Sequence, residues 1–156
     1  MDSLAKKTAD APALAKGGRF ATFLVDRLLF GVEVADVQEV LRPQVMTRVP
    51  LAPAVISGLI NLRGQIVTAL DMRQRLKLAT RDAGAAPMNI VIRADDELLS
   101  LLVDEIGDVI DVDAGAFERR PNNLDSAVKE LIGGVYKLKD RLMLVLDTAS
   151  MVALAE

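Results

Sequence analysis

The stretch from Gly58 to Asp71, GLINLRGQIVTALD, decides how the whole chain is read. Two apolar runs flank Arg63-Gly64, and the second run stops at an aspartate able to start a helix. Glycine takes positive φ without steric cost, so Gly64 predicts a tight β-hairpin that presents an arginine at its tip. Upstream, FATFLVD and LLFGVEV predict a first hairpin around Asp26-Arg27. Between the two hairpins, ADVQEVL places Val37, Val40 and Leu41 at helical spacing and predicts one or two turns ended by Pro43. VMTRV predicts a short strand, and Pro50 and Pro53 an irregular connection. Downstream, Asp71 is placed to cap a short helix MRQRL, with Gln74 completing a capping box.

Residues 78–87 are poor in apolar side chains and contain Gly84 and Pro87, which marks a boundary between two halves. Beyond it, MNIVIRA and ELLSLLVD predict a hairpin around Asp95-Asp96, followed by EIGDVIDV and a polar loop over residues 114–129. GVYKLKDRLMLVLD predicts a last hairpin with Lys139-Asp140 at its tip, and a terminal helix over about residues 147–155 begins at Asp147. The halves resemble each other. At one constant spacing Gly58 falls on Gly134, Arg63 on Lys139, Leu70 on Leu146 and Asp71 on Asp147; at a second, Leu29 falls on Leu98, Val37 on Ile106 and Glu39 on Asp108. The expected architecture is all-β with a few short helices, as two tandem five-stranded β-barrels over about residues 19–80 and 88–146, preceded by a disordered tail over residues 1–18. LLSLLV is apolar on both faces, so either both are buried within the molecule or one is kept for a partner.

Composition excludes several functions. The chain has no Cys and no His, which removes disulfides, thiol nucleophiles, imidazole bases and the usual zinc ligand sets. A net charge of −3 and 3% aromatic residues oppose a nucleic-acid reader built on a basic field and stacking rings. The acidic run Asp104, Glu105, Asp108, Asp111, Asp113, Glu118 fits no register of a calcium loop and reads as a solvated face. Gly133-Gly134 lacks the lysine and hydroxyl of a phosphate loop, and Ser57 and Ser150 have no histidine for a triad. No apolar span or leader-like segment is present, so the chain is expected in the cytoplasm, without metal or cofactor.

The run from Asp36 to Leu76 resembles the first half of a CheW-type chemotaxis coupling protein, through VQEV, TRVP, GLINLRG and LDMR in that order and spacing. The resemblance implies SH3-like barrels and a non-enzymatic adaptor, recruited to membrane-associated arrays without inserting in the membrane. Such an adaptor bridges the cytoplasmic tips of methyl-accepting chemoreceptors to the regulatory domain of the histidine kinase CheA. By position it carries a receptor-contact role onto Val37, Glu39, Gly58, Arg63 and Gly64, and adds Ser100 as a small residue near the same groove. The kinase contact is expected through apolar barrel edges, with no residue assigned. Thr68-Ala69 stands where the family often has Pro-Ile, and Met72 where it often has Leu. A chain starting at Met1, with no room for a kinase or receiver domain, favours the stand-alone adaptor. The alternative is a small β-barrel module for an oligonucleotide or oligosaccharide; a carboxylate-based hydrolase has no motif behind it.

Overall fold

The computed structural model describes residues 16–82 and 84–155, so the expected tail lies outside it up to residue 15. In chain order the elements are β1 (Gly17–Val25), β2 (Leu28–Glu33), a 3-10 turn (Val34–Asp36), β3 (Val37–Leu41), β4 (Ile56–Leu62), β5 (Gln65–Asp71), α1 (Met72–Arg75), β6 (Met88–Ala94) and β7 (Glu97–Val103). They continue with β8 (Glu105–Asp113), a second 3-10 turn (Ala114–Ala116), β9 (Phe117–Glu118), α2 (Ser126–Lys129), β10 (Ile132–Lys137), β11 (Leu142–Leu146) and α3 (Thr148–Ala155). Gly17 and Gly18 are strand rather than tail, paired with Asp113 and Val112.

The strands make a six-stranded sheet in the order β8-β1-β2-β11-β10-β9 and a five-stranded sheet in the order β3-β6-β7-β5-β4. Neither sheet closes on itself through a ladder among the described residues, so the pairing gives two open sheets. Nor do the sheets divide the chain at residues 78–87. The hairpin β1-β2 sits among strands of the second half, and β6-β7 among strands of the first. The two sheets exchange hairpins reciprocally across that stretch.

The internal repeat is visible in the registers. Ile56 faces Leu70 as Ile132 faces Leu146, and Gly58 faces Ala69 as Gly134 faces Val145, with the same bulge between the two pairs. The parallel ladders agree as well: Thr68 faces Leu99 and Ala69 faces Ser100, where Leu144 faces Phe30 and Val145 faces Gly31. The outer pairs follow, Val37 to Ile92 matching Ile106 to Phe23. Each correspondence obeys the spacing read from the letters.

Three local expectations are corrected. β3 is a strand where helical turns were expected: it pairs with β6 and its burial alternates residue by residue, so Val40 is an exposed apolar side chain at an outward position and not the next contact of a helix. VMTRV contributes a single bridge, Thr47 to Leu59, flanked by Pro43 and Pro50, which lack the N–H a ladder needs. Asp71 does cap α1, accepting from the Arg73 N–H at 3.0 Å, but its own N–H donates to the Val55 carbonyl at 2.8 Å instead of to Gln74. Asp147 caps α3 through the Ala149 N–H at 3.1 Å.

β7 explains its doubly apolar sequence. As the central strand of its sheet it turns Leu99, Leu101 and Val103 into a core shared with Phe23, Phe30, Val135 and Leu144 of the other sheet. Leu102 faces a smaller core with Ile60 and Ala69, covered by Met46. The six-stranded sheet has its own small core of Phe20, Tyr136, Met143 and Val145. Ile60 and Ala69 are the repeat counterparts of Tyr136 and Val145, so both sheets follow one plan.

The chain passes from β7 to β8 through Asp104 alone, and this crossover is clamped. Arg73 grips the Asp104 carboxylate through Nη2 at 2.7 Å and Nε at 2.9 Å, Arg81 Nε lies 3.2 Å away, and the Asp26 N–H donates at 2.6 Å. Burial alone would raise the Asp104 pKa, but the hydrogen bonds from Arg73 and Asp26 and the charges of both arginines outweigh it and hold the carboxyl below its usual value. A depressed carboxylate stabilises the fold above the unfolded pKa, near 4, and that stability is lost as pH falls through the folded value.

Two outcomes are expected. Leu101→Ala lowers stability by about 2–5 kcal/mol, and Tyr136 fluorescence from the other sheet shifts its denaturation midpoint together with circular dichroism. Two separated transitions would contradict the shared core. Asp104→Asn is less stable than the parent at about pH 6, and the gap in denaturant midpoint narrows towards about pH 3.

Candidate docking site

The hairpin β4-β5 turns through Arg63 and Gly64, with φ +52° and +86°. Left-handed backbone at both central positions is the requirement of a type I′ turn, whose twist matches that of the flanking strands. Gly64 meets this freely; Arg63 is a long side chain held where such residues are uncommon. Asn61 offsets part of the cost, its Oδ1 accepting the Gly64 N–H at 2.8 Å. Asn61 was not singled out from sequence, although an asparagine three residues before the glycine is the signal for such a bond. In the second repeat no residue between Leu138 and Arg141 has positive φ, so the turn at Lys139-Asp140 is of another kind.

From this tip Arg63 reaches Glu39 on β3 with two parallel bonds, Nη1 to Oε2 at 2.8 Å and Nη2 to Oε1 at 2.6 Å. β3 and β4 are the two outer strands of the five-stranded sheet, so this bidentate pair spans the gap between its open edges. The Arg63 side chain is 74% exposed and Glu39 only 21%. Hydrogen bonding to Glu39, then its charge, raise the Arg63 pKa, leaving a permanent cation on the surface. Val37 is half-buried, two residues before Glu39 on the same strand. Val37, Glu39, Arg63 and Gly64 therefore sit on the outer strand and the turn that meet at this seam.

Gly58 and Ser100 have different surroundings. Gly58 is buried, and a Cβ there would lie 2.7 Å from the Thr47 carbonyl oxygen; the glycine lets the Thr47 segment press against β4. Ser100 is fully buried in the middle of the sheet and donates to Asn89 Oδ1 at 2.9 Å, while Asn89 Nδ2 donates to the Arg42 carbonyl at 3.3 Å. Neither side chain is at the surface; both set the position of the segment joining β3 to β4.

Among the described residues there is no cluster of three ligands that suits a metal ion. A cleft of about 350 Å³ beside the crossover is lined by Asp26, Arg73, Arg81 and Asp104, whose charges already satisfy one another. No helix among these residues is long and apolar enough to cross a membrane.

The model of the CheW-like domain matches residues 19–156, almost the full length. The chain belongs to the CheW-like family. Its CheW relatives include the chemotaxis protein CheW of Bacillus subtilis, 30% identical over 84% of each chain. The chemotaxis protein CheW of Rhizobium meliloti is 27% identical over 92% of this chain and 93% of its own. Among solved structures, the scaffolding protein TtCheW of Thermoanaerobacter tengcongensis superposes with a TM-score of 0.76 at 25% identity, covering 84% of this chain and 89% of that one. The CheW-like fold is thus shared by sequence and by shape.

Two substitutions separate surface from support. Arg63→Ala leaves the circular dichroism spectrum and thermal midpoint unchanged within error, because an exposed ion pair adds little to stability. Gly58→Ala lowers the thermal midpoint, since its methyl group displaces the Thr47 backbone.

Proposed function

We propose that this chain is a non-enzymatic chemotaxis adaptor that binds methyl-accepting chemoreceptor tips and the regulatory domain of the histidine kinase CheA together. By holding both it lets a change in the receptor bias the activity of the kinase. The observation that carries the reading is the Arg63–Glu39 pair, in a chain of the CheW-like family. An exposed cation on a rigid turn, tied to the strand that also carries the half-buried Val37, suits an amphipathic receptor helix that brings a carboxylate to Arg63. Val37, Glu39, Arg63 and Gly64 form the receptor contact in this reading, while Gly58 and Ser100 act beneath it by fixing the backbone. Each open sheet corresponds to an SH3-like barrel, the Arg63–Glu39 pair standing where strand pairing ends. The protein works in the cytoplasm, recruited to membrane-associated receptor arrays; its kinase contact lies on the apolar edges of the sheets.

The test is capture of the purified protein on a chemoreceptor cytoplasmic fragment and, separately, on the kinase regulatory domain. Arg63→Glu is expected to weaken receptor capture by about tenfold or more and to leave kinase capture and the thermal midpoint intact. Equal receptor capture by parent and variant removes Arg63 from the contact, and no capture of either fragment by the parent removes the adaptor reading.

A further inference from the structure

The segment that joins β3 to β4 exposes apolar side chains with no burial to account for them. Val45 is 95% exposed and Leu51 104%. Leu51 also has φ +65°, and the Ala52 N–H donates to the Val49 carbonyl at 3.3 Å across Pro50-Leu51. Proline second and a left-handed residue third are the marks of a type II turn, a place where glycine is the ordinary choice. Leucine here accepts backbone strain while keeping its whole side chain in water, a combination that folding alone does not reward. The same segment is anchored. Met46 packs over Ile60, Ala69 and Leu102, Thr47 exchanges two bonds with Leu59 at 2.8 and 2.9 Å, and Asn89 holds the Arg42 carbonyl.

Its charge is one-sided. From Val40 to Leu70 the chain carries Arg42, Arg48 and Arg63 and no carboxylate, in a protein of net charge −3. Arg42 and Arg48 are exposed and have no ion-pair partner among the described residues. The edge of β4 at Leu59 is already taken by Thr47, and Pro43, Pro50 and Pro53 offer no N–H. A strand therefore cannot add on here; a partner must bring a backbone already satisfied, as a helix does.

We propose that residues 42–52 form a docking platform for an acidic amphipathic helix of a partner protein, with Leu51 and Val45 as apolar knobs and Arg42 and Arg48 as flanking cations. The platform goes beyond the contact at Arg63 and does not depend on the receptor reading. The probe is a synthetic amphipathic helix of about 18 residues, with leucines at i, i+3, i+4 and i+7 flanked by glutamates, and a second peptide in which lysines replace those glutamates. With isotope-labelled full-length protein, the acidic peptide is expected to shift the amide resonances of Val45, Arg48, Val49, Leu51 and Ala52, weakening as salt is added; the lysine peptide shifts none. Leu51→Gly separates docking from folding, because glycine relieves the left-handed strain. It should hold or raise the thermal midpoint while weakening the acidic peptide by about tenfold, and Arg42→Gln with Arg48→Gln should abolish its salt dependence. Absence of shifts in the segment, equal binding of the two peptides, or unchanged binding by Leu51→Gly overturns the platform. Each of these results leaves the Arg63 capture experiment to be judged separately.

Discussion

The two parallel ladders, β5 with β7 and β11 with β2, are what the rest of the molecule depends on. Every other pairing of long strands within a sheet is antiparallel, and most of those strands are joined by short turns. The parallel ladders join a hairpin of one repeat to a hairpin of the other. Once both have formed, neither half of the chain owns a complete sheet. The shared core follows from this, since Leu101 and Leu144 belong to different sheets yet lie in one continuous apolar cluster. Stability is then a property of the whole chain, and the Asp104 clamp protects the point where the exchange is tightest.

Within this repeated frame the two copies have been put to different uses. The first keeps a glycine in its turn, a left-handed Arg63 and a carboxylate on the facing outer strand. The second has Lys139-Asp140 in the turn and covers its β10 edge with the short strand β9, where the first has only the Thr47 bridge. An acidic outer strand, β8, contrasts with the carboxylate-free segment from Val40 to Leu70.

Much of this was legible in the letters, and the failures have physical causes. Hairpins announced themselves through Asp26-Arg27, Arg63-Gly64 and Asp95-Asp96, because a turn is local chemistry. The repeat was legible because its spacing is preserved residue by residue. The exchange was not, since a parallel ladder has no turn to mark it and each hairpin looks the same whichever neighbours it joins. β3 reads as helix in the letters because the exposed Val40 mimics helical spacing, and the Asp71 N–H that a capping box would give to Gln74 goes instead to Val55 in a distant loop. Arg63 was found through its turn, but its partner role with Glu39 required the curl of the sheet. Ser100, placed near a surface groove by resemblance, proved to be internal because β7 is the central strand.

The exchanged hairpins also set an order in time. A ribosome makes β1 and β2 first, yet β8, β10 and β11, which share their sheet, are made last. Until then the nascent chain carries a β1-β2 hairpin with both edges open, the kind of surface that chaperones hold. The five-stranded sheet is complete once Val103 has emerged. The half of the molecule that bears the arginine turn can therefore pair its strands while the other still waits for its ends.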